Sequence, residues 1–267
     1  MRFTNQRLLY PNSPLHARRP DEQYAAEVEA VRSAGFEVSL FSLDDFQSGE
    51  FSPVSAIPAG ATVLYRGWML SASEYEFLVL ALTRTGASAV VSAQAYLAHH
   101  HLPNWYPLIK DLTPETRVFP ADCDLETELR SLNWPEYFIK DYVKSLKTSV
   151  GYRISKPEQV STVTADMRRF RGKIEGGFCV RRVEDFLPET ERRYFVLNGI
   201  PYAASGEVPP IVFECAKRFS SPFYSVDVIQ RVDGQSRIVE VGDGQVSDLV
   251  GWTPERFAQI LAIGFES

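Results

Sequence analysis

The sequence predicts an α/β N-terminal domain with a small parallel sheet, followed by an α+β domain with antiparallel sheets. Three observations carry this. Strand and helix patterns alternate through the first third. A Pro-rich stretch, HLPNWYPLIKDLTPET, then interrupts the alternation. Beyond it, Asn198-Gly199 and Asp233-Gly234 mark turns between consecutive strand patterns, because both turn residues tolerate positive φ. A chain of 267 residues is long for one core, so two domains are expected, at about 1–110 and 111–267.

Along the first domain LLY is a short strand. Asp21 to Ala34 is an amphipathic helix with Tyr24, Val28 and Val31 on one stripe and Gly35 closing it. FEVSLF and ATVLYRG are strands, Ser73 and Glu76 form a capping box before a helix that Gly86 ends, and ASAVV is a further strand. Ligands of such a sheet collect beyond the carboxyl ends of its strands, where Tyr10-Pro11 and Tyr65-Arg66-Gly67-Trp68 fall. After the Pro-rich boundary come strand YFIKDYVKS, helix KPEQVSTVTADMRRFRG, strands GFCVRRVEDF and ERRYFVLNG with a second arm, helical PPIVFECAKRF, a hairpin, and the closing helix TPERFAQILAIGF capped by Thr253.

The bulk numbers exclude several classes. A hydrophobic content of 45% supports a globular core, and a net charge of -6 opposes a nucleic-acid or anionic-membrane footprint. Cys123, Cys179 and Cys215 lack CxxC spacing and read as thiols of a reducing compartment; no signal peptide or apolar span is visible. The expected setting is cytoplasmic, with no nucleic acid and no membrane as partner.

The hairpin SVDVIQRVDGQSRIVEVGDG pairs Val226 with Val241 and Val228 with Val239 on an apolar face. Asp227 and Glu240 face each other on the opposite side, beside Ile229 and Ile238; a four-residue loop keeps both acids on one face. Facing like charges repel, so this face meets either water or a cation. Two carboxylates above an apolar floor suit a hard divalent cation whose shell is completed by water and phosphate oxygens.

No GxxxxGK[ST] phosphate loop occurs, and VGDGQVS lacks the third glycine of a dinucleotide fingerprint. Lys140 and Lys144 share a strand face and serve either as edge-strand lysines or as phosphate ligands, with SLKTSVGY following as a candidate phosphate loop. Arg181, Arg182, Arg192 and Arg193 flank FLPET; adjacent members point to opposite faces, and surface ion pairs with Glu184, Asp185, Glu189 and Glu191 account for some of them. His99-His100-His101 is not expected to hold zinc, because consecutive residues rarely supply three ligands and no carboxylate spacing supports it. Arg66 offers a fork for a substrate carboxylate, or else is a solvated arginine at a turn, and Arg182 is the next candidate for that substrate role.

In order, FIKDYVKS, a Gly-containing loop, FCVRRVEDF, ETERRYFV, SVDV and RIVEVGDG resemble the ATP-grasp superfamily, in particular its bacterial and phage clade named for an arginine and two lysines. YRGWML and HLPNWYP resemble the region preceding the grasp, and the resemblance spans roughly residues 60–250. It implies an ATP-grasp fold with a lid-like part at about 116–183 and a core at about 184–267. It further implies that Lys140 and Lys144 grip ATP phosphates, that Glu184 meets the ribose and that Arg193 holds the γ-phosphate, with Arg193 and Lys144 as the catalytic pair. Asp227 and Glu240 would hold magnesium (Mg2+). Many members carry E-x-N where this chain has Glu240-Val241-Gly242-Asp243, so Asp243 stands in for the missing amide oxygen. The implied activity is ATP- and Mg2+-dependent carboxylate-amine ligation through an acyl phosphate, on small-molecule or peptide substrates. The alternative is a non-catalytic ATP-binding module. A homodimer stays open.

Overall fold

The computed structural model describes residues 3–143, 153–171 and 174–266. Its first strand, β1 (Phe3–Ser13), is followed by β2 (His16–Pro20), α1 (Ala25–Ser33), β3 (Phe36–Phe41), α2 (Leu43–Gln47), β4 (Thr62–Tyr65), α3 (Ala72–Arg84), β5 (Ser88–Ala89) and α4 (Ala93–His100). β1 pairs in parallel with both β3 and β4, and β4 with β5, giving the expected small parallel sheet. β2 is an addition, a short antiparallel arm on the end of β1. Asp21 caps a 3-10 turn that leads into α1, Tyr24, Val28 and Val31 are buried, and Gly35 takes φ 97° just past the helix.

The capping box forms two residues earlier than expected. Ser71 rather than Ser73 caps α3, its Oγ accepting from Glu74 N at 3.3 Å while Ser71 N donates to Glu74 Oε2 at 2.6 Å. Both positions carry the S-x-x-E spacing. The buried Leu70 decides between them, since its N and O both bond the Tyr96 hydroxyl and fix where the chain turns.

The Pro-rich boundary folds instead as α5 (Leu102–Ile109), because Leu102, Trp105 and Ile109 bury one helical stripe and Pro103 sits where a helix tolerates proline. Then follow β6 (Thr116–Pro120), α6 (Leu125–Leu132), β7 (Tyr137–Asp141), β8 (Arg153–Ile154), α7 (Val160–Arg171) and β9 (Gly177–Arg182). They build an antiparallel sheet ordered β6-β9-β7-β8. Leu129, Tyr137, Ile139, Val163, Met167, Phe178 and Val180 form its core. The last segment holds β10 (Phe186–Leu197), β11 (Ile200–Ala203), α8 (Pro210–Ala216), β12 (Phe223–Arg231), β13 (Ser236–Asp243) and α9 (Pro254–Glu266), with sheet order β11-β10-β12-β13.

Residues group into two compact units, one of 1–97, 192–226 and 242–267, the other of 98–191 and 227–241. Each is discontinuous, because the chain passes from one to the other within the long strands β10, β12 and β13. In the first unit Phe257, Ile260 and Leu261 of α9 share a core with Leu8, Val28 and Val31, so the closing helix packs with the N-terminal sheet. Among the described residues no helix is long and apolar enough to cross a membrane. Cys179 and Cys215 are buried, and burial pushes both thiols up to about 12, too high for a nucleophile at neutral pH.

Candidate active site

In the second unit β7 and β9 are buried along almost their whole length. Tyr137, Ile139, Phe178 and Val180 turn into the core, which leaves Phe138, Lys140, Cys179 and Arg181 for the other face. Register places Phe138 opposite Arg181 and Lys140 opposite Cys179. Lys140 is 4% exposed and its Nζ lies 3.6 Å from Glu240 Oε1. Arg181 is buried, donates to Val239 O and Thr113 Oγ1, and stands over the Trp105 ring. Burial pushes this guanidinium down to about 10, against the opposing charge of Glu240. Arg182, the sequence-based second candidate for a substrate carboxylate, is the adjacent residue. Only the register, set by β7 and β9 together, reveals which of the two shares the face of Lys140.

A cavity of about 400 Å³ opens on this face, with Phe138, Phe186, Pro188 and Ile229 as apolar walls and Lys140, Arg181, Arg182, Glu184 and Glu240 as charged groups. Ile229 and Glu240 line it together, and Asp227, two residues from Ile229 along β12, is buried. The hairpin connection runs through 232–235 rather than Asp233-Gly234 alone, with Gly234 at φ 83° and Arg231 N bonded to Gln235 O.

Glu184 takes a bidentate fork from Arg237, Nε to Oε2 at 3.0 Å and Nη2 to Oε1 at 2.9 Å. Arg237 also donates to the carbonyls of Asp111 and Thr113, so Glu184 is fixed in place. Arg182 is exposed; with Glu184 it borders both this cavity and a second of about 630 Å³ lined by Lys110, Asp111, Asp185, Arg231 and Arg237. The second space is charged on nearly every side, whereas the first combines apolar walls with cations, as a nucleotide base with phosphates requires. Lys144 and the SLKTSV segment lie outside the described residues.

The remaining candidates sit in the first unit. Arg66 is 1% exposed, not solvated: Nε and Nη2 grip Glu27 at 2.7 Å each, and Nη1 donates to the carbonyls of Gly244 and Ser247. Four of the five N–H groups of a guanidinium are thus used internally. Removing one member of such a pair strands the other as a buried charge, at about 3–5 kcal/mol. Arg66→Ala should therefore lower the melting temperature by roughly 10 °C, and thermal unfolding of the two proteins checks it. Arg193 donates through Nη1 to Asp248 O at 2.9 Å, and its carbonyl accepts from Trp252 Nε1.

Asp243 is 1% exposed; its Oδ1 accepts from Gln245 N and Nε2, and its Oδ2 is buried with no hydrogen-bond partner. Burial pushes its carboxyl up to about 7, held back by the Gln245 bonds and the charge of Arg66. The folded form thus keeps a proton that the unfolded chain loses above its ordinary value of 3.8. Stability therefore falls as pH rises from about 4 to about 7 and is flat above, by up to about 1.4 kcal/mol per pH unit. Asp243→Asn should abolish that slope, which urea unfolding at pH 5 and pH 8 would detect.

The ATP-grasp domain model of R2K clade family 3 matches residues 118–261, more than half of the chain. No curated protein matches the sequence. Among solved structures, the D-cycloserine synthetase DcsG superposes with a TM-score of 0.65 at 13% identity, covering 97% of this chain and 98% of that one. The D-alanine-D-alanine ligase of Coxiella burnetii gives 0.64 at 12% identity, over 98% and 95% of the two chains. The ATP-grasp ligase PsnB bound to a minimal precursor gives 0.61 at 13% identity, over 98% and 99%. At these identities the likeness is one of fold, and the family match adds the lineage: this chain belongs to the ATP-grasp proteins, in R2K clade family 3.

Proposed function

We propose that the chain is an ATP- and magnesium-dependent carboxylate-amine ligase working through an acyl phosphate. The observation that carries this reading is the 400 Å³ cavity in which buried Lys140 stands 3.6 Å from Glu240 beside apolar walls. That ammonium already faces one carboxylate, and the phosphates of ATP would add charged oxygens to it while the base rests against Phe138, Phe186 and Ile229. The three structural neighbours bear the names of a synthetase and two ligases, in keeping with the same chemistry.

The donor set fits magnesium, since Asp227 and Glu240 offer only carboxylate oxygens and Glu240 is partly open to the cavity. Bound there, the ion would offset phosphate charge as it develops. Lys140 would orient the phosphates, and Arg181 would hold the cavity wall through Val239 and Thr113. Arg193 and Lys144 keep phosphate roles in this proposal on the family pattern alone. Arg66 is assigned to the scaffold rather than to the substrate, and Asp243 to the turn it makes with Gln245.

In the reaction a substrate carboxylate oxygen attacks the γ-phosphorus and the bond to ADP breaks. An amine then adds to the acyl phosphate, loses a proton and expels phosphate. The carboxylate is that of a small molecule or a peptide. The test is ADP release with MgATP and pooled carboxylates, with hydroxylamine standing in for the amine. Release together with a hydroxamate supports the ligase. ATP binding without release from any pool would instead mark a nucleotide-binding module.

A further inference from the structure

We propose that His100, His101 and Glu175 form a site for a divalent transition cation of the zinc class, using none of the residues assigned to the nucleotide. One ligand atom from each lies within 4.8 Å of the others, all in the second unit. His100 is buried at the end of α4, and His101 is the extended residue (φ -105°, ψ 122°) that breaks the helix before α5. That break brings two successive imidazoles together, with ring centroids 5.5 Å apart.

The His101 to Glu175 spacing is that of an ion pair and also suits two ligands of one shared ion. Nε2 of His101 is buried and makes no hydrogen bond, and it lies 3.6 Å from Glu175 Oε1. That is too long for a direct hydrogen bond. It is too short for a bridging water, whose two partners would stand about 4.5 Å apart at ordinary hydrogen-bond lengths. Two ligands on one zinc-class ion, each at about 2.0–2.2 Å, stand roughly 3.3–3.5 Å apart at a tetrahedral angle.

Backbone bonds hold the three residues in register. Leu102 N donates to Tyr142 O at 2.8 Å, Tyr142 N to Glu175 O at 3.3 Å, and Gly177 N to Glu175 O at 2.9 Å. Gly176, at φ 74°, lies so close to the Tyr142 ring that a Cβ there would collide with it. The Tyr142 ring in turn packs edge-on against His101, with centroids 6.0 Å apart.

Two imidazoles and one carboxylate select zinc, iron, cobalt or nickel over magnesium and calcium, which favour all-oxygen shells. Three protein ligands leave a position for water. Three consecutive histidines rarely ligate one ion together, and the sequence shows no carboxylate spaced to join them. Here two of them are joined by a carboxylate brought in by the fold.

The test uses the full-length chain stripped with a chelator, titrated with Zn2+ by calorimetry and with Co2+ by visible absorption. The expected result is one Zn2+ per chain, d–d bands with Co2+, and at least about a 10-fold loss of affinity in Glu175→Gln and in His101→Ala. His16→Ala, which changes the one histidine outside 99–101, should bind as the unaltered chain does. Uptake of no Zn2+ by the unaltered chain overturns the proposal, and so does unchanged affinity in Glu175→Gln. Glu175→Gln decides the matter if His101→Ala does not fold.

Discussion

Lys140→Met is expected to raise the dissociation constant for ATP by about 10–100-fold with little change in melting temperature. Lys140 is 4% exposed on the cavity face of β7, between Phe138 and the strand end, and Glu240 is 3.6 Å away. A charge-assisted bond to phosphate contributes about 1.5–3 kcal/mol, which sets that factor. Methionine keeps the unbranched stem and its packing while removing the charge, so the fold should tolerate it. A lysine acting only as the ion-pair partner of Glu240 would give the reverse pattern: a destabilised chain with unchanged affinity for ATP. Calorimetry with an ATP analogue, alongside thermal unfolding, separates the two.

Asp227→Asn is expected to slow magnesium-dependent ADP release on the order of 100-fold or more, equivalent to about 3 kcal/mol of transition-state stabilisation. Asp227 is buried two residues from Ile229, which lines the cavity together with Glu240. Without a cation two like charges on one sheet face repel, so neutralising one should leave the ion-free chain as stable as before or raise its melting temperature slightly. A purely structural Asp227 would instead lower the melting temperature on substitution and leave the magnesium dependence of turnover as it was. Rates measured across a magnesium titration, with melting curves in chelator, check both halves.

The sequence carried the parallel sheet, because periodicity and strand-bounding turns are local signals. Three features were not legible, each for a tertiary reason. HLPNWYPLI reads as a loop by its prolines, but burial of Leu102, Trp105 and Ile109 makes it a helix. Arg66 at a strand end reads as a substrate fork, but Glu27, far away in sequence, claims its donors. That buried Arg181 shares the face of Lys140 depends on the pairing of β9 with β7, which no run of residues in either strand specifies alone. α6 could have been found, because Asp124 caps it and Leu125 and Leu129 bury one stripe.

The most direct test is a crystal structure with a non-hydrolysable ATP analogue and magnesium. It should place the base against Phe138, Phe186 and Ile229, a phosphate oxygen about 2.8 Å from Lys140 Nζ, and an ion about 2.1 Å from carboxylate oxygens of Asp227 and Glu240. A nucleotide seated instead in the 630 Å³ cavity against Lys110, Arg231 and Arg237, with no ion at Asp227 and Glu240, would contradict it.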